Sequence, residues 1–235
     1  MRCAIVQPSY LPWRGYFHMI QKADVFVFYD DVQYDKHGWR NRNRIKTANG
    51  PRWLTVPVAA RGNVVTGLPI CEVQIADRRW AAKHLATLSQ AYARAPHVER
   101  CLALLESHLS REQDNLSDLT IALTIALAAE LGLRREFVRS SELELAGDRM
   151  GRLLGALQRV GATHYISGPA ARSYLDEEQL GEAGITVEYM SYDYPEYGQL
   201  HPPYEPQVSV IDLLAMEGDR SPSLIWGEDA ASPAR

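Results

Sequence analysis

The start of the chain constrains the fold most, because two short apolar segments there flank a helix-like stretch. Residues 3–6 and 25–29 are apolar on both faces of a strand, which is typical of strands buried within a parallel sheet. Two prolines prevent regular structure just after the first segment, and apolar residues at helical spacing then predict a helix over 13–22. Strand, helix and strand in this order predict a parallel βαβ unit.

The remaining chain continues with strand and helix signals. Asn49-Gly50 lies between two β-prone segments and predicts a hairpin whose two turn residues both take positive φ. The period changes to 3.6 over 79–133, which indicates helices. We therefore predict an α/β fold with a mostly parallel sheet of Rossmann-like character, an antiparallel hairpin and a helical insertion. The predicted later strands are 71–75, 137–139, 164–167 and 186–190, and the predicted later helices are 79–92, 98–109, 119–131, 149–160, 170–174, 177–183 and 209–216.

The sequence predicts a single α/β domain over residues 1–218. Within it, 79–133 forms a helical insertion or subdomain between strands. Residues 219–235 are rich in Ser, Pro and Ala, which predicts a loose tail. The length of 235 residues with 46% apolar residues is sufficient for one substantial core.

Charge and cysteine content exclude several classes of protein. A net charge of −4 argues against general binding to nucleic-acid duplexes, which requires a basic surface. Three cysteines without short spacing predict free thiols in a reducing compartment. The most apolar helix, 119–133, is shorter than the roughly 20 residues of a bilayer span. We therefore expect a soluble, cytoplasmic protein without a membrane partner.

The chain carries none of five strong catalytic or binding motifs. The motifs G-x-x-x-x-G-K-[ST], G-x-G-x-x-G, H-E-x-x-H, paired C-x-x-C and G-x-S-x-G are all missing from the sequence. Walker-type ATPases, dinucleotide enzymes, zincins, zinc ribbons and α/β-hydrolases are therefore poor matches. We expect neither a metal nor another cofactor.

Polar side chains follow the first two predicted strands, where α/β proteins usually place their sites. Gln7, Tyr10 and Trp13 follow the first strand and are substrate-binding candidates. Asp30 and Asp31 follow the second strand, and one of them is a candidate general base. In the structural alternative for the first loop, its polar side chains only satisfy backbone groups of a proline-rich turn. In the alternative for the second loop, one Asp caps a helix or forms a turn and the other pairs with an arginine.

Four residues near the hairpin suit a sugar ring and an oxyanion. An indole ring can stack on a sugar, and a guanidinium binds phosphate or carboxylate in bidentate fashion. The alternative is a solvated basic edge of the hairpin. These four substrate-binding candidates are Trp39, Asn41, Arg42 and Asn43.

The last candidates lie further along the chain. Ser167 and Gly168 fall between a predicted strand and a predicted helix, where backbone N–H groups can bind an anion. His84 lies on the first middle helix and His201 in a Tyr- and Pro-rich loop. Either histidine could carry a proton near neutral pH, although a single histidine is more often structural.

Long motifs of this chain are similar to those of the WbqC-like family. They are QPSYLPWRGYF at 7–17, ADVFVFYDDVQ at 23–33 and WRNRN at 39–43, with weaker likeness at 53–58, 167–169 and 209–214. Many members carry a His before the Gln-Pro pair, where this chain has Val6. The resemblance implies surface-polysaccharide metabolism and acylation or aminoacylation of an amino sugar.

From the resemblance we expect a transferase that moves an acyl or aminoacyl group onto an amine. Its partners would be small molecules: a nucleotide-linked amino sugar is one candidate acceptor, and an activated acyl compound is the donor. Two alternatives stay open. One is a nucleotide or nucleotide-sugar enzyme of another class, and the other is a non-catalytic binding protein. The identity of donor and acceptor and the oligomeric state stay open too.

Overall fold

The computed structural model describes residues 1–59, 67–77, 79–111 and 113–227. A five-stranded parallel sheet lies at its centre, and a two-stranded antiparallel hairpin packs beside it. The predicted α/β fold with a mostly parallel sheet and an antiparallel hairpin is thus confirmed. The strands are β1 (Arg2–Val6), β2 (Val25–Phe28), β3 (Arg42–Thr47), β4 (Gly50–Thr55), β5 (Glu136–Arg139), β6 (His164–Ser167) and β7 (Thr186–Tyr189).

The helices of the described residues follow the predicted order, except that the predicted helix over 170–174 is a 3-10 turn and that α8 lies in the predicted tail. They are α1 (Arg14–Lys22), α2 (Trp80–Ala91), α3 (Val98–Leu109), α4 (Leu116–Glu130), α5 (Arg149–Arg159), α6 (Glu177–Glu182), α7 (Val210–Glu217) and α8 (Ser223–Trp226). Short 3-10 turns lie at Ile70–Glu72, Ser140–Glu142, Pro169–Ser173 and Gly218–Arg220. None of the helices in the described part of the chain is long and apolar enough to cross a bilayer.

The strand order of the sheet is β5-β2-β1-β6-β7, with all neighbours parallel. The chain therefore builds outward from β1 to one side, through β2 and β5, and then returns to the other side of β1 with β6 and β7. In such sheets the connections leave β1 and its neighbour in opposite directions, which opens a crevice at their carboxyl ends. Here that crevice lies between Val6 and Ser167.

Both faces of the sheet are covered, because successive side chains of a strand point to opposite faces. Ala4 and Phe26 belong to the core shared with α1 and the middle helices, while Cys3 and Val25 pack on the other side with α5 and α6. The predicted helical insertion, α2 to α4, contributes to the first of these cores. These helices therefore help to cover one face of the sheet.

Two local predictions are wrong in detail. Gly50 has φ of 93°, but Asn49 is absent from the positive-φ residues, so the hairpin uses a single left-handed glycine. The predicted strand over 71–75 begins as the 3-10 turn and continues as isolated bridges. Backbone bonds from Cys71 to Asp30 and from Ile75 to Asp114 hold this segment in place of a ladder. The sequence also predicts a loop over 64–68, of which 64–66 lie outside the described residues.

Part of the predicted tail, residues 219–227, is ordered. Residues 218–227 form a 3-10 turn and helix α8, in which Ile225 is buried. The backbone carbonyl of Leu224 accepts a bond from Arg14 of α1. The remainder of the predicted tail, 228–235, lies outside the described residues.

Candidate functional site

A cavity of about 970 Å³ opens at the crevice between β1 and β6. The ends of β1, β2 and β6 form its floor, and α5 forms one side. Parallel strands bring these ends together at one edge of the sheet, so residues distant in sequence meet there. We call this space the switch-point cavity; its polar lining residues include Gln7, Asp31, Gln33, Arg40, Arg149, Arg152 and Ser167.

Two of its arginines come from the first turn of α5. The side chain of Asp148 caps this helix by accepting from the backbone N–H of Gly151 at 2.8 Å. Arg149 and Arg152 are three residues apart and therefore project from one face. Arg152 forms an ion pair of 2.5 Å with Asp31, and the Arg149 guanidinium lies 3.7 Å from the centre of the exposed Tyr174 ring.

Arg40 is the third arginine of the switch-point cavity, and the protein gives its guanidinium few hydrogen bonds and no ion pair among the described residues. Its Nε is buried without a hydrogen-bond partner, and its Nη1 donates only to the Pro8 carbonyl, at 3.4 Å. Among the described residues no carboxylate forms an ion pair with it. Burial lowers the pKa of Arg40, while Tyr16, Asp35 and Tyr34 oppose that shift. A partly buried, unpaired cation of this kind favours an anionic ligand.

A smaller cavity of about 350 Å³ adjoins the switch-point cavity. Four residues line both spaces: Val6, Trp13, Tyr16 and Arg40. The smaller space is completed by Ser9, Pro12, Trp39, Asn43 and Gln207. We call it the aromatic cavity, since three of its walls are ring faces or edges.

Trp13 separates the two cavities, and its ring position depends on a glycine. A Cβ atom at Gly15 would lie 2.3 Å from the Trp13 ring, so only glycine permits this arrangement. On the other side the Trp13 ring makes an edge contact with Tyr192 at 5.0 Å between centroids. The indole is therefore held between α1 and the segment after β7.

The chain is similar to a known protein family and to a mycobacterial protein. Residues 7–223 match the WbqC-like protein family. The chain belongs to the WbqC-like protein family. It is 42% identical over 226 residues to the uncharacterized protein Rv1507c of Mycobacterium tuberculosis, which covers 95% of this chain and 97% of the relative. No solved structure matches the chain.

In this WbqC-like protein, seven of the predicted site residues lie at the two cavities. Gln7, Trp13, Asp31, Ser167 and Gly168 line the switch-point cavity. Trp39 and Asn43 line the aromatic cavity, together with Trp13. The proline-rich loop, the Asp pair and the WRNRN segment of this WbqC-like protein thus contribute to adjoining concave surfaces.

Asp30 faces the interior of this WbqC-like protein. It is fully buried and accepts hydrogen bonds from Ser117 Oγ at 3.1 Å and from the backbone N–H and Oγ of Ser141 at 3.0 and 3.2 Å. Ser140 Oγ lies 3.3 Å from the Asp30 carboxylate, and Arg139 Nε lies 3.8 Å from it. These partners link the ends of β2 and β5 to the start of α4, which is a structural arrangement.

Tyr10 and His84 form a buried pair away from both cavities. The Tyr10 hydroxyl lies 2.9 Å from His84 Nδ1, and both side chains are at most 7% exposed. Burial lowers the pKa of His84 to about 4, although a backbone hydrogen bond with Thr55 opposes that shift. His84 is therefore neutral at pH 7 and is hydrogen-bonded to the tyrosine through Nδ1.

The two asparagines of the WRNRN motif bond to backbone. Asn41 Nδ2 donates to the Val56 carbonyl at 2.8 Å. Asn43 Nδ2 donates to the carbonyls of Tyr10 and Leu11 at 3.2 and 2.7 Å, where Leu11 has φ of 44°. Asn43 therefore stabilises the strained loop that carries Trp13 into the site.

Arg42 and His201 lie on the outer side of the hairpin. The Arg42 guanidinium stacks 4.4 Å from the centre of the Trp53 ring. His201 lines a separate cavity of about 660 Å³ between the hairpin turn and the end of α2. Neither residue belongs to the lining of the switch-point cavity.

Sequence reasoning missed the three arginines of the switch-point cavity. Arg149 and Arg152 offered one signal, since two cations spaced by three residues follow a capping aspartate at a helix start. Arg40 offered none beyond its place in the WRNRN motif. No cluster of three or more potential metal ligands occurs among the residues that the structure describes.

Proposed function

We propose that this protein is a transferase that binds a phosphate-bearing small molecule in the switch-point cavity and transfers an acyl or aminoacyl group to its amine. A nucleotide-linked amino sugar of surface-polysaccharide or secondary metabolism is the proposed acceptor, and the proposed location is the cytoplasm. One observation carries the proposal: three guanidinium groups and one carboxylate meet at the switch point of a parallel sheet.

The charge balance of the cavity supports an anionic ligand. Asp31 neutralises Arg152 through their ion pair, which leaves Arg40 and Arg149 without a described carboxylate partner. Arginine binds phosphate oxygens through two parallel N–H bonds, and such charge-assisted bonds contribute about 1.5–3 kcal/mol each. A phosphate on Arg40 would compensate the cost of the partial burial of that guanidinium, and the exposed Arg149 can add a second guanidinium to the same ligand.

The proposed chemistry uses Asp31, the predicted acid that lines the cavity. The amine nitrogen attacks the carbonyl carbon of the donor and forms the new C–N bond, while the bond to the donor's leaving group breaks. Asp31 accepts the proton that the amine loses. Its carboxylate is held in place by Arg152 at 2.5 Å and by Ser140 Oγ at 2.5 Å. The likeness of the motifs to the WbqC-like family supports this reaction class.

Ligand binding tests the anion site first. UDP- and dTDP-linked amino sugars are titrated calorimetrically, with neutral glucosamine derivatives as the uncharged comparison. We expect Arg40→Gln and Arg149→Gln each to weaken binding about 10-fold or more, whereas the exposed Arg134→Gln leaves it unchanged. Equal affinity of wild type and both cavity variants for every phosphate-bearing compound would refute the anion site.

Asp31→Asn tests the reaction. Loss of a general base lowers a rate by about 10²- to 10⁴-fold, so acyl transfer should fall by that factor while the affinity for the acceptor is retained. Asp193→Asn is the matched control, because Asp193 is exposed and does not itself line the cavity, although its neighbour Tyr192 does. Product is measured by mass spectrometry after incubation with acyl and aminoacyl donors.

A nucleotide-sugar enzyme of another class is the second candidate. The strand order of the sheet favours it, since the crevice of such sheets commonly holds nucleotides irrespective of the reaction. This candidate predicts binding of the same ligands, but no transfer with any acyl or aminoacyl donor.

A further inference from the structure

We infer that the aromatic cavity holds the base of a nucleotide, with the phosphates on Arg40 and the sugar in the switch-point cavity. This inference rests on the proposed phosphate-bearing substrate and adds the place and orientation of its parts. It follows from a difference in chemistry between the two adjoining cavities.

The aromatic cavity suits a planar ring. The rings of Trp13, Tyr16 and Trp39 line a space of about 350 Å³. Trp39 is 40% exposed, so part of its ring surface is open to a ligand. Nucleobases stack on such rings whatever their sequence identity, because every base has a π-face.

Of the two amide side chains that line the aromatic cavity, Gln207 can bond to the edge of a base. Gln207 Oε1 accepts from Arg44 Nη2 at 3.0 Å, so its Nε2 group is the part that stays open for a ligand carbonyl. The amide of Asn43 is committed to the backbone of the loop at Tyr10 and Leu11. Ser9 adds a hydroxyl whose bond to the Gln7 carbonyl is long, at 3.4 Å.

The switch-point cavity suits a sugar better than a base. Its lining includes Gln7, Gln33 and Ser167, which can bond to several hydroxyl groups at once. Arg40 lines both cavities, and it is the one cation at their junction among the described lining residues. The phosphates between a base and a sugar would therefore meet the guanidinium that lacks a carboxylate partner.

The experiment compares three kinds of probe by calorimetry: nucleoside diphosphates (UDP, dTDP, ADP and GDP), inorganic pyrophosphate and glucosamine 1-phosphate. Trp39→Ala should weaken the best nucleoside diphosphate at least about fivefold, the lower limit for loss of one stacking ring. It should leave the affinity for pyrophosphate and glucosamine 1-phosphate unchanged within twofold. Trp39→Phe should retain most of the affinity, since it keeps a ring.

Trp53→Ala is the matched control. Trp53 is 43% exposed and its ring lies 5.2 Å from that of Trp39, but it does not line the aromatic cavity. The Trp53→Ala variant should bind nucleotides with the wild-type affinity within twofold. This result would distinguish stacking of the base on Trp39 from a general effect of removing an exposed ring. Thermal melting of each variant verifies that it is folded.

Two results would overturn the inference while leaving the proposed function intact. One is a Trp39→Ala variant that binds nucleoside diphosphates as wild type does. The other is an equal loss of affinity for glucosamine 1-phosphate, which would place the sugar on Trp39. If no phosphate-bearing probe binds to folded wild-type protein, the proposed function itself fails.

Discussion

Asp30 and Asp31 are adjacent in sequence, yet their carboxylates face different surroundings. Asp30 is 0% exposed and bonds to serines at the ends of neighbouring elements, whereas Asp31 pairs with Arg152 beside the switch-point cavity. Successive residues of an extended segment point in opposite directions, so the pair could not share one site. At the scale of single residues, one acid supports the fold and the other is available for chemistry.

Asp30→Asn should therefore affect stability. The amide keeps the shape but loses the charge that Ser117, Ser141 and Arg139 surround, which we expect to cost about 3 kcal/mol of unfolding free energy. Urea denaturation followed by circular dichroism measures the change. Asp193→Asn is the control on the surface, and a loss at Asp30 below about 1 kcal/mol would contradict the structural role.

The buried pair of His84 and Tyr10 makes stability depend on pH. The pKa of His84 is lowered to about 4 from the 6.5 of an unfolded histidine, so the unfolded chain binds the proton more readily. Stability is therefore full above pH 6.5 and falls as the pH approaches 4. Between pH 7 and pH 5 this residue alone should cost about 2 kcal/mol.

The pH effect of His84 is isolated by comparison with His84→Gln, which keeps an acceptor for Tyr10 without titrating. Urea unfolding of both proteins at pH 7 and pH 5 gives the difference. His18 also has a pKa lowered to about 4, chiefly by burial, and it remains in both proteins. Identical pH dependence of wild type and variant would exclude a role for His84.

At the scale of elements, the connection from β1 to α1 determines the shape of the site. Asn43 of the hairpin holds this loop, and Trp13 at its end divides the two cavities. The first turn of α1 must contain a glycine for the indole to lie over it. The hairpin and the loop thus act as one unit, although 30 residues separate Trp13 from Asn43.

Gly15→Ala should displace the Trp13 ring, because the new Cβ would lie 2.3 Å from it. We expect nucleotide affinity to fall at least fivefold. The stabilisation that alanine usually gives relative to glycine in a helix should be lost.

Gly181→Ala in α6 is the matched control. A Cβ atom there meets nothing within 4 Å, so this substitution should stabilise the protein by about 0.5–1 kcal/mol without changing nucleotide binding. Calorimetry and thermal melting of both variants measure these effects, and unchanged binding by Gly15→Ala would contradict the role of Trp13.

At the scale of the whole molecule, the described residues form a three-layered structure in which 223–226 return to the first helix. Helix α8 packs against α1, and Ile225 belongs to the same core as the first βαβ unit. Ser221 is also buried, and its Oγ lies 3.3 Å from the Leu213 carbonyl. The fold therefore depends on residues beyond 218.

A chain that ends at Gly218 should be less stable than one that ends at Gly227. It loses the burial of Ile225 and the bond from Arg14 to Leu224, which together should cost about 3 kcal/mol. Ile225→Ala in the full chain should reproduce most of that loss. Urea unfolding of the three proteins measures these losses of stability. Equal stability of the two shortened chains would support the predicted end of the domain at residue 218.

The sequence by itself determined most of the elements and their order, but not the 3-10 turns at 70–72 and 169–173 or helix α8. Apolar runs, helical spacing and capping residues such as Asn115 and Asp148 are local signals, and β6 and α3 have the predicted bounds. The tertiary structure alone decided which polar residues meet: it turned Asp30, Asn41 and His84 inward and brought Arg40, Arg149 and Arg152 to one crevice. The physical reason is that helix and strand signals depend on neighbouring residues. The residues of the site, in contrast, are more than 100 positions apart in sequence and meet only because the parallel strands pair.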